Sequence, residues 1–153
     1  GGSMDNNQIA VVKEKVQRFL IDLLQNIQID RDGDFNFRHG SAHVYVRVQA
    51  LGDDGTYVSV WAPTNGDVPV TPELYKYLVD QNHYRFGHLT CAEKDGKAVI
   101  SFTHQLPGEF LDPDEFKVAL YFIAGIGDGL DDEIKTKFGG RRFHEETPDA
   151  PAS

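Results

Sequence analysis

The fold of this chain is decided by residues 42–62, which read AHVYVRVQALGDDGTYVSVWA. Valine occupies alternate positions on both sides of a centre rich in glycine and aspartate. A period of two is typical of half-buried strands, and the central Gly52-Asp53-Asp54-Gly55 favours a turn between them. Because Phe35 and Phe37 alternate with polar residues just before this stretch, the sequence predicts three consecutive antiparallel strands.

The same alternation assigns side chains to the two faces of the predicted sheet. One face carries the valines, which we expect to pack against helices: Val44, Val46, Val48, Val58 and Val60. The opposite face then carries four residues of a different kind: Tyr45, Arg47, Tyr57 and Trp61. Aromatic residues with an arginine are typical of contact surfaces, so we predict that these four bind a partner. The alternative is that they form cross-strand pairs, which only stabilise a solvated sheet face.

Three segments have the apolar period and the end signals of helices. The first begins with capping-box spacing at Asp5 and carries an apolar stripe at Ile9, Val12, Val16, Leu20, Leu23 and Ile27. The second begins at Thr71-Pro72-Glu73 and ends near Asn82. The third runs from Asp112-Pro113-Asp114-Glu115 to the stop signal Gly139-Gly140.

Two more strands are predicted at residues 86–92 and 97–103, joined by the hairpin signal Lys94-Asp95-Gly96. A loop is predicted around Pro63, Gly66 and Pro69. The order is therefore helix, three strands, helix, two strands, helix. It indicates an α+β fold in which an antiparallel sheet carries the helices on one face.

The 153 residues have the length of a single domain, which we assign to residues 5–143. Residues 1–4 are typical of a tag remnant, Gly1-Gly2-Ser3, followed by a start methionine, Met4. Residues 144–153 are rich in proline and acids, which predicts a disordered tail.

Charge and composition disfavour several classes of function. Fifteen Lys and Arg against 24 Asp and Glu give a formal net charge of −9, which disfavours nucleic acids and anionic membrane surfaces as partners. No stretch is long and apolar enough to span a membrane, and no leader opens the chain, so we expect a cytoplasmic protein. The single cysteine, Cys91, allows neither an internal disulfide nor a multi-cysteine zinc site.

Two groups of potential metal ligands have a simpler structural interpretation. Asp30, Asp32 and Asp34 are not followed by the glycine and glutamate that a calcium loop requires at its sixth and twelfth positions. They therefore favour a tight turn. His39 and His43 lie four residues apart, which is too far along a strand for chelation. We expect no metal and no cofactor.

The remaining motifs do not favour an enzyme. Gly125, Gly127 and Gly129 lie within the third helical pattern and lack the lysine of a phosphate loop, so they favour a kink or a close-packing site. Cys91 falls at a core position of a predicted strand, where a small hydrophobe is the ordinary role. The sequence contains no nucleophile elbow, acid–base pair or cofactor fingerprint.

A resemblance to a known family rests on the element order and on four short motifs. They are Phe86-Gly87-His88-Leu89 entering a strand, residues 101–106 ending one, Leu111-Asp112-Pro113-Asp114-Glu115, and Asp131-Asp132-Glu133 in a helix that closes in Phe138-Gly139-Gly140. Over residues 5–143 the chain resembles the class I type III secretion chaperones, and its second half is similar to the YbjN family built on that fold. The resemblance implies a small acidic protein without catalytic residues, which binds extended segments of a client protein in apolar surface grooves.

The resemblance also implies a homodimer, formed through the second helix and the strand that follows it. Tyr75, Leu78, Val79 and Tyr84 make this segment apolar enough for a two-fold contact. The alternative is a monomer in which these residues cover their own sheet. A rival function is a small-molecule- or nucleotide-responsive regulator, with the glycine cluster as its site.

Overall fold

The computed structural model describes residues 2–53 and 55–143, with side chains from residue 7 onward. The predicted tail at residues 144–153, Asp54 of the predicted turn and Gly1 lie outside the described residues. The elements are α1 (Gly2–Leu23), β1 (Gln28–Ile29), β2 (Phe35–His39), β3 (Ala42–Ala50), β4 (Thr56–Pro69), α2 (Pro72–Gln81), β5 (His88–Lys94), β6 (Lys97–Pro107), α3 (Pro113–Phe138) and β7 (Arg141–Arg142).

The strands form one antiparallel sheet in the order β1-β2-β3-β4-β6-β5, and β7 pairs with β4. The predicted meander is confirmed by β2, β3 and β4, which lie side by side. Helices α1 and α3 contact this central part of the sheet. The α+β fold predicted from the element order is therefore confirmed, with the two-residue strands β1 and β7 as additions.

The core lies between the helices and the face of the sheet that carries the valines. Val44, Val46, Val58 and Val60 are fully buried there. The stripe of α1 meets them through Val12, Val16 and Leu20, as the helical period predicts. Helix α1 begins at Gly2 and ends at Leu23, so Ile27 of the predicted stripe lies in the connection to β1.

The loop predicted around Pro63, Gly66 and Pro69 is wrong, because β4 continues through all three residues. The pairing of β4 with β6 shifts register between Pro63 and Asn65 and again between Asn65 and Val68. Such bulges insert unpaired residues, so they admit proline and glycine without ending a strand. Strand β7 pairs with β4 at this point, opposite Asn65 and Gly66.

The ends of α2 and α3 follow the predicted caps, whereas α1 begins at Gly2, three residues before the predicted capping box at Asp5. Thr71 Oγ1 accepts a hydrogen bond from Leu74 N at 3.1 Å before α2, and Asp112 Oδ1 accepts one from Glu115 N at 2.8 Å before α3. Helix α3 ends before Gly139, whose φ of 86° suits glycine. The sequence signals for these two helices were therefore sufficient to locate both of them.

Helix α3 is continuous through the glycine cluster. A Cβ at Gly127 would lie 3.0 Å from Ala62 Cβ and 3.3 Å from Ala42 Cβ, whereas Gly125 and Gly129 face open space. Of the interpretations left open by the sequence, close packing is therefore the one observed, and it applies to Gly127. Contact at this distance brings α3 directly against β3 and β4.

Strand β5 begins at His88, two residues later than predicted, and continues to Lys94. Gly87, with a φ of 80°, precedes it, and a Cβ there would lie 2.7 Å from the backbone oxygen of Thr103. The predicted hairpin to β6 is confirmed, and it turns on Asp95 and Gly96, both at positive φ, as a two-residue turn of this kind requires. Within the described ranges, no helix is both long and apolar enough to cross a membrane.

Candidate functional site

A line of stacked rings occupies the sheet face opposite the helices. Tyr45 and Trp61 are directly opposite in register, with ring centroids 5.4 Å apart and planes 16° apart. His43 stacks on the other side of Tyr45, with a centroid distance of 4.8 Å. The guanidinium carbon of Arg47 lies 5.2 Å from the Trp61 centroid. We call His43, Tyr45, Arg47 and Trp61 the aromatic patch.

Polar groups of the neighbouring strand β2, and of the turn before it, hold the side chains of the aromatic patch in place. Arg47 Nε donates to Asp34 Oδ1 at 2.8 Å, and Arg47 Nη2 donates to Asp34 Oδ2 at 2.5 Å. Asn36 Oδ1 lies 2.9 Å from His43 Nε2. Asp34 and Asn36 are both buried. Because these buried side chains fix the aromatic patch before another protein binds to it, the entropy cost of binding is lowered.

The electrostatics of the aromatic patch favour contact through ring faces. Burial lowers the pKa of His43, and the nearby Arg38 lowers it further, so the imidazole is neutral at pH 7. Burial, with Asp30 nearby, raises the pKa of Tyr45. The hydrogen bonds with Asp34 raise the pKa of Arg47 and keep its charge paired. The patch therefore offers neutral aromatic area beside a neutralised cation.

Tyr57, the fourth residue predicted for this site, lies apart from the stack. It is paired with Gln49 at the far end of β3, four residues along β4 from Trp61, or roughly 13 Å. It lines a shallow groove of about 450 Å³ at the end of the sheet, which we call groove C: Leu51, Tyr57, Gln105, Leu106 and Pro107. The structure thus brings three of the four predicted residues together and places Tyr57 at a second surface.

The described residues form two further apolar grooves. Groove B, of about 330 Å³, lies between β6 and the first turns of α3 and is lined by Phe86, His104, Leu106, Asp114, Glu115, Val118 and Ala119. Groove A, of about 290 Å³, lies beside α1 and is lined by Asn7, Gln8, Val11, Val12, Lys15 and Glu109. Leu106 belongs to both B and C, so these two grooves adjoin.

Exposed apolar side chains accompany the grooves. Val11 in groove A is 67% exposed and Val118 in groove B is 55% exposed, while Phe110, in the loop before α3, is 91% exposed. Phe86 in groove B packs edge-on against His104 and Phe122, which fixes its ring. Clustered apolar exposure of this kind marks interaction surfaces on folded domains.

The four residues predicted for a dimer interface divide between surface and core. Tyr75 is 41% exposed and Val79 is 73% exposed on α2, whereas Leu78 is buried in the core. Tyr84 packs edge-on against Phe102 at 4.8 Å and is half-buried. Tyr75 and Val79 are therefore the two whose side chains face outward, beside the edge strand β5.

The carboxylates of Asp30, Asp32 and Asp34 lie within 4.8 Å of one another. Asp30 Oδ1 accepts from the backbone nitrogens of Asp32 and Asp34, at 2.9 and 3.0 Å, while Asp34 holds Arg47. The turn predicted from this motif is confirmed, because side-chain to backbone bonds of this kind define it. His39 stands apart from His43, with its ring against Tyr121.

Sequence reasoning missed His43 as a member of the aromatic patch, and it missed the grooves. The signal for His43 was present, since it precedes Tyr45 by two residues and must share its face in a strand. No such signal existed for the grooves, because groove B is lined by residues of β6, of α3 and of the connection between α2 and β5. Such a surface appears only once the elements are packed.

Comparison with known proteins gives one family and a fold. The family model described as T3SS (YopN, CesT) and YbjN peptide-binding chaperone 1 matches residues 8–146. The Yersinia pestis type III secretion chaperone SycH, solved in complex with a stable fragment of YscM2, is 15% identical with a TM-score of 0.51, over 76% of this chain and 96% of that one. A chain of the ExsC–ExsE complex is 16% identical with a TM-score of 0.55, over 80% and 95%. A comparison with curated protein sequences finds no match.

Proposed function

Because this chain belongs to the family of type III secretion and YbjN peptide-binding chaperones, we propose that it binds an extended segment of a client protein. The segment lies in the apolar grooves and on the aromatic patch. The observation that carries this proposal is the family match over residues 8–146. The adjoining grooves B and C support it, since an extended segment needs a succession of apolar sites rather than one deep pocket.

Binding without turnover fits the chemistry of the described residues. Cys91 is half-buried on β5, and burial raises the pKa of its thiol, with Glu93 adding to the effect. A thiol with a raised pKa is a poor nucleophile at neutral pH. The glycine cluster, the site suggested for a small-molecule- or nucleotide-responsive regulator, lies inside α3 with Gly127 packed against the sheet. The client-binding function is therefore favoured over both alternatives.

Replacing Trp61 with alanine is expected to weaken client binding about fivefold or more, because aromatic anchors commonly supply over 1 kcal/mol of binding energy. The melting temperature should fall by only a few degrees, since a cross-strand pair such as Tyr45–Trp61 contributes about 0.2–1 kcal/mol to folding. Tyr57→Ala should likewise weaken client binding while lowering the melting temperature by only a few degrees, because Tyr57 lines groove C. Affinity capture from native cells with the wild type identifies the client, and titration of that purified client measures the loss.

Thr136→Ala is the matched control, because Thr136 is exposed on α3 and lines neither the aromatic patch nor any of the grooves. It should bind the client as the wild type does. If Trp61→Ala and Tyr57→Ala both unfold early, their surfaces belong to the core or to a subunit interface. Capture that enriches no protein even after crosslinking would contradict the proposed function as a whole.

We propose in addition that two copies of the chain associate through α2 and β5. Val79→Asp should then convert the protein to a monomer, because it places a charge in an apolar contact. Sedimentation at tens of micromolar measures the change. Ile21→Asp is the control, since Ile21 is a comparably exposed apolar residue on α1, 56% exposed. A wild type that sediments only as a monomer at this concentration would overturn the association.

A further inference from the structure

A polar pocket of about 320 Å³ lies at the end of the aromatic patch, between β1, β2 and β3. It is lined by Asn26, Gln28, Asn36, Phe37, Arg38 and His43. Its chemistry differs from that of the three apolar grooves, because side-chain amides and a guanidinium surround it. The pocket adjoins the aromatic patch through His43, which lines the one and stacks in the other.

The charge of the polar pocket comes from Arg38. Among the side chains described, those of residues 7–53 and 55–143, Arg38 has no ion-pair partner, although the chain carries a formal net charge of −9. By contrast, Arg47 on the same face is held by Asp34. Arg38 is directly opposite His43 in register and is exposed. A cation without a partner in an acidic protein attracts an anionic group.

The neutral donors of the polar pocket suit the same kind of group. Asn36 lines the pocket and is only 6% exposed, and because its Oδ1 is taken up by His43 Nε2, its NH2 group remains as a donor. Asn26 and Gln28 are exposed and add further amide donors at the rim. A planar guanidinium beside amide N–H groups matches the geometry of a carboxylate, which it can bind through two parallel hydrogen bonds.

We infer that the polar pocket binds the carboxylate of an aspartate or glutamate side chain in the client segment. This inference rests on the proposed function and adds the chemistry of one client residue. A segment seated on the rings of Trp61 and Tyr45 runs toward His43, and an extended chain advances about 3.3 Å per residue. An acidic residue a few positions from the aromatic contact therefore reaches Arg38.

The pocket can be tested on the full chain without a client. The probes are N-acetylglutamate N-methylamide and its glutamine counterpart, added to the ¹⁵N-labelled protein. The side-chain NH2 signals of Asn26, Gln28 and Asn36 report binding directly, with Arg38 Nε–H. We expect saturable millimolar shifts with the glutamate probe and none with the glutamine probe. Arg38→Gln should abolish them, and Arg31→Gln, an exposed arginine of the neighbouring turn, should preserve them.

Equal shifts with both probes, or shifts that survive Arg38→Gln, would overturn the inference. Inorganic phosphate that binds more tightly than the glutamate probe would also overturn it, in favour of a site for free anions. With the purified client, Arg38→Gln should lower affinity about tenfold, and replacing the client's acid by its amide should remove that sensitivity. If Trp61→Ala weakens client binding and Arg38→Gln does not, the pocket inference fails while the proposed function stands. If the glutamate probe binds and no client is captured, the proposed function fails and only the carboxylate specificity of the pocket stands.

Discussion

Replacing Gly127 with valine is expected to lower the free energy of unfolding by about 2–3 kcal/mol, near the upper end of overpacking costs. Gly127 is buried where α3 crosses the sheet, and a Cβ added to it would stand 3.0 Å from Ala62 Cβ and 3.3 Å from Ala42 Cβ. Those neighbours are rigid strand positions, so the helix must move away. Because α3 contacts β2, β3, β4 and β6, that movement disturbs the whole core. Urea unfolding measures the change, with one dependence of the free energy of unfolding on urea concentration fitted to both the wild type and the variant.

Gly129→Ala is the matched control in the same helix. Nothing lies within 4 Å of its Cβ position, so alanine there should raise the free energy of unfolding by about 0.4–1 kcal/mol. The two substitutions, two residues apart, are therefore expected to have opposite signs. A destabilising Gly129→Ala, or a neutral Gly127→Val, would contradict the packing of α3 described above.

Replacing Arg47 with methionine is expected to lower the free energy of unfolding by about 2 kcal/mol. It leaves the carboxylate of Asp34, whose side chain is 6% exposed, without its cation, and an unsatisfied buried charge is costly. The loss stays below the 3–5 kcal/mol of a fully buried pair, because the side chain of Arg47 is 42% exposed and water replaces part of the interaction. Thermal and urea unfolding measure it.

A double-mutant cycle with Asp34→Asn separates this cause from lost packing. In the Asp34→Asn background, Arg47→Met should cost about 1 kcal/mol less, because no buried charge is left behind. An unchanged cost would show that Arg47 stabilises the protein through the contact of its guanidinium with Trp61 instead. Any effect of Arg47→Met on client binding has to be read against this loss of stability. Trp61→Ala is the cleaner probe of the aromatic patch.

The period of the sequence predicted the elements and their faces because local geometry enforces both. In β3 and β4, a slip of one residue would bury Arg47 and expose the valines, so the positions of Tyr45 and Trp61 followed from alternation alone. The caps at Thr71 and Asp112 located α2 and α3, since each satisfies backbone donors that the helix itself leaves unpaired.

The continuation of β4 through Pro63 and Gly66 could not be predicted in this way. Proline and glycine are ordinary loop signals, and only pairing with β6 and β7 shows that they sit at bulges. Leu78 is a similar case. Leu78 and Val79 are both apolar neighbours on α2, so the sequence does not distinguish them. Packing against the sheet decides that Leu78 is buried and that Val79 is 73% exposed.

The sequence by itself determined which residues share a face, and the tertiary structure decided which faces meet. His43, Tyr45 and Trp61 were bound to lie on one side of the sheet, yet their stacking depends on the register that sets Tyr45 opposite Trp61. The polar pocket and groove B were beyond the sequence altogether, because each is lined from separate segments. The period of a strand or helix is a local property of the backbone, whereas a cavity is the space that distant segments leave between them when they pack.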